Sequence, residues 1–323
     1  MLTKPFKFRP QLKSVLWGGH RIAALKNIPN DSRLIGESWE ISSIPGKESV
    51  VVGGEYDGLT ITELITTRRE EIVGNENYEL YGNKFPLLVK IIDAHQNLSI
   101  QVHPNDELAL VRHNSPGKTE MWYIVATEAQ STILAGLNQP LTPTHFELLA
   151  NNGLLPECLT HYMSKPGDVF YLPAGTIHSI GAGNLLVEIQ QASDITYRLY
   201  DYDRLDAEGQ PRELHIEQAK DAINYTTSAN IYSHSDQHKV GISKLAKCEY
   251  FDVCHLAVDN FYELPWQSMK SFMIMVCIDG NLDIITNCEY HTPLRMGESL
   301  LIPASVCKVA IKGQGKVVTA QVN

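Results

Sequence analysis

Four side chains of metal-binding type stand at spacings that could place them around one ion. In LSIQVH, residues 98–103, polar and apolar residues alternate as in a half-buried strand, which puts Gln101 and His103 on one face. A second strand-like run, KTEMWY, contains Glu120, and GDVFYLPAGTIH ends at His178. Because imidazoles and carboxylates are common zinc ligands, these four residues are a candidate metal site.

The prediction depends on the whole set of donors. A single histidine is more often a hydrogen-bonded structural residue, and glutamine alone is a poor first guess for a metal ligand. Here one strand supplies two donors, the next strand supplies a carboxylate, and a Gly-x5-Pro-x-Gly-x2-His turn delivers an imidazole. That combination resembles the ligand pattern of the cupins, small jelly-roll barrels that hold one metal inside.

Charge, hydropathy and cysteine usage exclude several classes of protein. The chain has 323 residues and a net charge of -10, so we expect no nucleic-acid partner and no acidic membrane surface, both of which favour basic proteins. No apolar run is long enough to cross a bilayer, and the first residues do not read as a signal peptide. The six cysteines show no CxxC spacing, which favours reduced thiols and a cytoplasmic location.

Short strand-like runs joined by Gly, Pro and Asn turns dominate the chain, which predicts a mainly β fold. We expect three accessory helices that pack beside the sheets without lining the metal site. The first covers residues 60–73 and opens with a capping box of Thr60 and Glu63. The second covers residues 144–152, with Thr144 as its cap, and the third covers residues 214–223.

The sequence pattern of the turn that precedes His178 is repeated near residue 300. The Gly-x5-Pro spacing of residues 167–173 returns at residues 297–303, and Lys308 stands where the first copy has His178. A protonated lysine repels a metal ion and offers no lone pair. We therefore predict two cupin (jelly-roll) barrels, a catalytic metal-binding domain over residues 1–230 and a C-terminal barrel without metal ligands over residues 231–323.

Several longer motifs together resemble type I mannose-6-phosphate isomerases of the short bacterial form. They are LSIQVHP (98–104), GKTEMWY (117–123), PAGTIHSIG (173–181) and QQASDITYRLYDYDR (190–204), with weaker support from WGG (17–19) and GESWEIS (36–42). The resemblance implies one zinc ion per chain and the interconversion of mannose 6-phosphate and fructose 6-phosphate. The expected partner is therefore a small phosphorylated sugar, and the expected oligomeric state is a monomer.

The resemblance also implies roles for individual residues. Gln101, His103, Glu120 and His178 match the zinc ligands of the family. Arg198 matches its catalytic arginine and Lys118 an active-site lysine. Lys90, Ser99 and Glu188 fall at positions that the family uses around its substrate.

The chemistry of the ligand set agrees with such a reaction. Two neutral imidazoles, an amide oxygen and one carboxylate leave Zn²⁺ with a net charge of about +1, which suits negative charge developing on a sugar oxygen. The proton-transferring base stays open between Glu188, Lys118, His103 and a zinc-bound water. Arg198 could alternatively serve only as the partner of Asp201 or Asp203.

Two other functions remain to be distinguished. Cupins with related ligands hold Fe, Mn or Ni and carry out dioxygenase or decarboxylase chemistry, but those sites usually have two histidines on the first strand, where Gln101 takes one place here. A sugar-binding cupin without turnover is the second. The presence of Arg198, Lys118 and Glu120 favours the enzyme.

Overall fold

The computed structural model describes residues 2–28, 33–206, 209–227, 229–287 and 289–322. Strands dominate its regular structure, which confirms the prediction of a mainly β fold. Cys288 lies outside the described residues, and the other five cysteines are free thiols. Among the described residues, every helix is too short or too polar to cross a membrane.

Fourteen of the described strands belong to the first 234 residues. They are β1 (Lys7–Arg9), β2 (Gln11–Gly19), β3 (Ile35–Ile41), β4 (Val50–Val52), β5 (Leu87–Ala94), β6 (Ile100–Val102), β7 (Glu120–Thr127), β8 (Thr132–Leu137), β9 (Leu159–Met163), β10 (Asp168–Leu172), β11 (His178–Ile180), β12 (Asn184–Gln191), β13 (Tyr197–Tyr200) and β14 (Tyr232–His234). The C-terminal strands are β15 (Gly241–Lys247), β16 (Asp252–Glu263), β17 (Met273–Thr286), β18 (Tyr290–Arg295), β19 (Ser299–Ile302) and β20 (Val309–Gln321).

The helices are short and lie between these strands. They are α1 (Arg21–Leu25), α2 (Ile61–Arg68), α3 (Glu70–Val73), α4 (Asn75–Tyr81), α5 (Asp106–His113), α6 (Pro143–Asn151) and α7 (Ile216–Lys220), with a 3₁₀ turn at Leu155–Cys158.

Two sheets of the first half face each other and enclose an apolar core. One has seven strands in the order β14-β10-β7-β12-β5-β3-β2, and the other has five in the order β13-β6-β11-β8-β9. Trp122 and Phe170 from the seven-stranded sheet pack with Ile133, Ala135 and Ile180 from the five-stranded sheet in one buried cluster. These side chains therefore fill part of the space between the two sheets.

The opposite face of the seven-stranded sheet packs against the C-terminal half. Met121 and Tyr123 share a buried cluster with Val253, Ile274 and Val318 of the six-stranded C-terminal sheet. Strand β14 belongs to the seven-stranded sheet, where it pairs with β10. The chain thus stacks three β-layers, and the seven-stranded sheet, buried on both faces, is the middle one.

The strand pairing does not confirm the predicted two jelly-roll barrels, because no closed barrel is found among the described residues. In the described residues, hydrogen-bonded pairing leaves all three large sheets open. The edges are β14 and β2 in the seven-stranded sheet, β13 and β9 in the five-stranded sheet, and β15 and β18 in the six-stranded sheet. The physical reason is that a jelly roll closes its core by packing two sheets face to face, which does not require hydrogen bonds between their edges.

The helices confirm the first capping prediction and correct the second. Thr60 caps α2 and exchanges hydrogen bonds with Glu63 as a capping box, although Arg69 at a φ of 48° separates α2 from α3. The cap of α6 is Thr142 instead of Thr144, because Pro143 is well suited to the first helical position. Helices α6 and α7 cover the outer face of the five-stranded sheet, so they do not line the site.

Candidate metal centre

The predicted ligands meet between the two facing sheets. Gln101 on β6 pairs directly with His178 on β11, so the two side chains point to the same face of the five-stranded sheet. His103 follows two residues after Gln101 on the same side. Glu120 begins β7 in the opposite sheet. Strand alternation and cross-strand pairing therefore bring all four residues together.

The donor atoms lie close to one another in a buried space. One donor atom from each of His103, Glu120 and His178 lies within 4.8 Å of the others. The Nε2 atoms of His103 and His178 lie 3.4 Å and 3.2 Å from the two carboxylate oxygens of Glu120. The amide of Gln101 completes the group, 3.3 Å from His178 Nε2. Among the described residues this is the one such cluster of histidine and acidic side chains.

Both imidazoles are held by hydrogen bonds on their far side. Nδ1 of His103 lies 2.8 Å from the backbone carbonyl of Ile195, and Nδ1 of His178 lies 2.8 Å from that of Thr176. A carbonyl can only accept, so each Nδ1 carries the proton and each Nε2 presents a lone pair to the centre. Burial lowers the pKa of His103 to about 3 and also lowers that of His178, which keeps both rings neutral.

Glu120 is a buried carboxylate whose two oxygens make no hydrogen bond among the described residues. Burial, the largest single effect, would raise its pKa, but the Lys118 ammonium and the two imidazoles together outweigh it and hold the pKa of Glu120 well below its usual range. Lys118 Nζ lies 3.0 Å from Glu120 Oε2 and 3.0 Å from His103 Nε2. An anionic carboxylate facing two neutral imidazole lone pairs in a buried space is a donor set that fits a divalent cation.

A row of charged and aromatic groups lines the seven-stranded sheet beside the ligands. Lys90 Nζ lies 2.8 Å from Glu188 Oε2, and Trp122 Nε1 donates a hydrogen bond of 2.9 Å to Glu188 Oε1. The edge of Trp122 also meets the ring of His178, with centroids 5.2 Å apart. Burial, the largest single effect, opposes the charge of Lys90, but the carboxylates of Glu188, Glu37 and Glu120 together outweigh it and raise the pKa of Lys90. This buried ion pair therefore lies next to the metal ligands.

Arg198 extends the ligand row of the opposite sheet. It pairs with Gln101 across β13 and β6, so its side chain emerges on the ligand face. Its Nη1 donates to the carbonyl of Glu213 at 2.9 Å, while its buried Nε has no hydrogen-bond partner among the described residues. Burial, with Arg212 next in effect, lowers the pKa of Arg198. Asp201, the alternative partner considered above, is bound by Arg204 and Arg212.

Ser99 is buried two residues before Gln101, at the start of the same ligand strand. The structure therefore places all nine predicted residues on the two facing sheets or next to their strands. Sequence reasoning missed Trp122, which connects Glu188 to His178, and Asp106, which is described below. Trp122 lies two residues after Glu120, and strand alternation could have placed it on the ligand face.

Comparison with known proteins places this geometry in context. The chain matches the model of phosphomannose isomerase type I, catalytic domain, over residues 5–130, and that of mannose-6-phosphate isomerase, cupin domain, over residues 241–322. It is 37% identical to mannose-6-phosphate isomerase ManA of Bacillus subtilis, over 99% of each chain. It is 31% identical to the mannose-6-phosphate isomerase of Streptococcus mutans, over 100% of this chain and 99% of the other.

A solved structure agrees with the sequence comparisons. The crystal structure of the mannose 6-phosphate isomerase from Bacillus subtilis superposes with a TM-score of 0.87 at 32% sequence identity, covering 98% of this chain and 99% of that one. The similarity therefore extends over both halves of the chain.

Proposed function

The chain belongs to the type I phosphomannose isomerases and is an isomerase of that family, and we propose that it interconverts D-mannose 6-phosphate and D-fructose 6-phosphate by proton transfer between C1 and C2. The observation that carries the proposal is the buried cluster of His103, Glu120 and His178, whose donor atoms converge within 4.8 Å. We propose that these residues and Gln101 hold one zinc ion per chain. Bound zinc supplies a Lewis acid for the negative charge that develops on a sugar oxygen.

We propose that protein side chains carry out the proton transfer and stabilise the developing negative charge. We propose that Glu188 and Lys118 hold and move the proton, because both are buried beside the ligands. The ion pair with Lys90 and the hydrogen bond from Trp122 fix the position of the Glu188 carboxylate. Lys118 is the ammonium nearest to Glu120 and can donate a proton to a sugar oxygen. Arg198, with its unpartnered Nε, stabilises developing negative charge.

We propose that Lys90 and Ser99 bind the substrate phosphate. Support comes from their burial at the site and from the positive charge that Lys90 keeps there. Because this ammonium is already paired with Glu188, the phosphate has to share it.

Unphosphorylated mannose should therefore be a poor substrate. Binding energy from a remote phosphate positions the reacting carbons, so its loss should lower kcat/KM by roughly a hundredfold or more. The measurement compares mannose and mannose 6-phosphate at equal enzyme concentration. Similar kcat/KM values for the two sugars would contradict a phosphate site.

The test of the function itself is formation of fructose 6-phosphate from mannose 6-phosphate in an assay coupled to a downstream dehydrogenase. We expect turnover with the zinc-loaded protein, loss of turnover after dialysis against a chelator, and recovery after zinc is returned. Activity that survives complete removal of metal, or zinc-loaded protein without any turnover, would reject the proposal.

We also propose the larger arrangement predicted above: a catalytic jelly roll over residues 1–230 and a C-terminal jelly roll over residues 231–323 that lacks metal ligands, with β14 of the second part pairing back onto the catalytic sheet. The second part is supported by Lys308, whose half-exposed ammonium lies 3.1 Å from a carboxylate oxygen of Glu263. The five free thiols described support a cytoplasmic location. A monomer remains our proposal for the oligomeric state.

A further inference from the structure

We infer that Tyr250, from the C-terminal half of the chain, is a positioning residue for the metal centre, because its hydroxyl holds Asp106 and Asp106 fixes the segment that carries Lys118 and Glu120. The C-terminal half would then contribute to the reaction without contacting substrate or metal. The activity part of this inference rests on the proposed function, whereas its metal-binding part can be tested separately.

The segment that precedes Glu120 is fixed by its backbone. Each of three successive N–H groups donates a hydrogen bond to a group outside the segment. Gly117 N donates to Asp106 Oδ1 at 2.7 Å, Lys118 N to the Pro104 carbonyl at 3.0 Å, and Thr119 N to Gln191 Oε1 at 2.8 Å. Because β7 begins with Glu120, a shift of this segment also displaces the ligand carboxylate and the Lys118 ammonium.

Asp106 supports this segment at two of the three points. Its Oδ1 accepts from Gly117 N directly, and it also accepts from Gln191 Nε2 at 2.9 Å, which orients the amide that holds Thr119. Gly117 packs so closely on the start of α5 that a Cβ there would lie 2.5 Å from Asp106 N. A side chain at position 117 would therefore push the segment away from the carboxylate that positions it.

The second oxygen of Asp106 is held from the other half of the chain. Tyr250 Oη donates to Asp106 Oδ2 at 2.6 Å, across 144 residues of sequence. Tyr250 lies in the turn between β15 and β16, next to the fully buried Phe251, and Cys248 N closes that turn on the Phe251 carbonyl at 2.9 Å. A hydroxyl on an anchored turn is a fixed donor, and its bond to a carboxylate is of the stronger, charge-assisted type.

Asp106 itself is exposed at the first position of α5, so loss of the Tyr250 hydroxyl leaves its carboxylate held through Oδ1 alone among the hydrogen bonds of the described residues. Groups that orient metal ligands from outside the coordination sphere typically alter metal affinity or activity by 10- to 100-fold when they are removed. Tyr250 acts on the metal centre only through Asp106 and the segment that precedes Glu120. We therefore expect loss of its hydroxyl to weaken zinc binding about tenfold, near the lower limit of that range.

The experiment compares Tyr250→Phe with Tyr262→Phe in the full chain. Tyr262 is a matched control, because its ring packs on the core of the C-terminal sheet in a different cluster. Zinc affinity is measured by competition with a chromogenic chelator, and the environment of the centre by the visible spectrum of the cobalt-loaded protein. Two further measurements are the thermal unfolding of the metal-free proteins and the kcat and KM values for mannose 6-phosphate.

We expect Tyr250→Phe to weaken zinc binding about tenfold, to alter the cobalt spectrum and to lower kcat more than it raises KM. Tyr262→Phe should match the wild type in all of these. Wild-type zinc affinity together with an unaltered cobalt spectrum in Tyr250→Phe would overturn the inference. This holds even if the metal-free variant melts at a lower temperature, because a loss of stability alone indicates a merely structural contact.

A double-mutant cycle tests the proposed route through Asp106. Tyr250→Phe should have little further effect on zinc affinity in an Asp106→Ala background, and Asp106→Asn serves as the background if the alanine variant does not fold. Fully additive losses would overturn the route. Wild-type protein that binds zinc but does not isomerise the sugar phosphate would reject the proposed function and leave the metal-binding comparison valid.

Discussion

Replacement of His178 by alanine is expected to remove most of the bound zinc and to lower kcat/KM by on the order of a thousandfold. His178 is almost completely buried, its Nδ1 is fixed by the Thr176 carbonyl, and its Nε2 lies 3.2 Å from Glu120 Oε1. Alanine leaves one imidazole, an amide and a carboxylate that also interacts with Lys118. Zinc content per chain, measured by mass spectrometry after dialysis, is the direct readout.

Lys308→Ala provides the matched control for this variant. Lys308 occupies the position equivalent to His178 in the second copy of the Gly-x5-Pro pattern, and its side chain is 46% exposed. We expect this variant to keep wild-type zinc content and turnover. Stoichiometric zinc in a folded His178→Ala protein would remove His178 from the ligand set, and circular dichroism establishes that the variant is folded.

Replacement of Arg198 by alanine is expected to lower kcat by about a hundredfold or more while zinc content and the melting temperature change little. The guanidinium is partly buried on the ligand face, beside Gln101, and its Nε has no partner among the described residues. A cation held in that way can interact with charge that appears only during the reaction. Steady-state kinetics and metal analysis on the same preparation provide the measurement.

Arg198→Lys is the conservative companion to this variant. Lysine keeps the charge but lacks the planar fork of arginine, so we expect partial recovery of kcat relative to alanine. If both substitutions raise KM and leave kcat unchanged, Arg198 contributes only to substrate binding, and its role in the transition state is wrong.

The candidate ligands could be found in the sequence because several of them carry a local signal. Alternation in LSIQVH places Gln101 and His103 on one face, and the Gly/Pro turn before His178 is a recognisable pattern. The partners that orient those ligands carry no such signal. The carbonyls of Ile195 and Thr176 could come from any residue type, and only the tertiary fold brings them to the two imidazoles.

Long-range pairing is also the reason why the fold was only partly predicted. Local patterns identified most strands and the capping box at Thr60, but the stacking of three layers depends on contacts between distant segments. Helix α5 was missed because it is short and because Leu110 and Val111 are exposed on it, which hides the usual apolar stripe. The predicted cap at Thr144 lies two residues after the actual cap at Thr142, because Thr144 and Glu147 have the spacing of a capping box.

The pairing of the chain's beginning with its end has a consequence for synthesis on the ribosome. Phe6 and Leu301 exchange two backbone hydrogen bonds of 2.8 Å, and the buried cluster beneath the seven-stranded sheet contains Val318 and Ala320. The apolar outer face of that sheet therefore stays uncovered until β20 has left the exit tunnel. A nascent chain stalled before β20 thus presents that apolar face to chaperones.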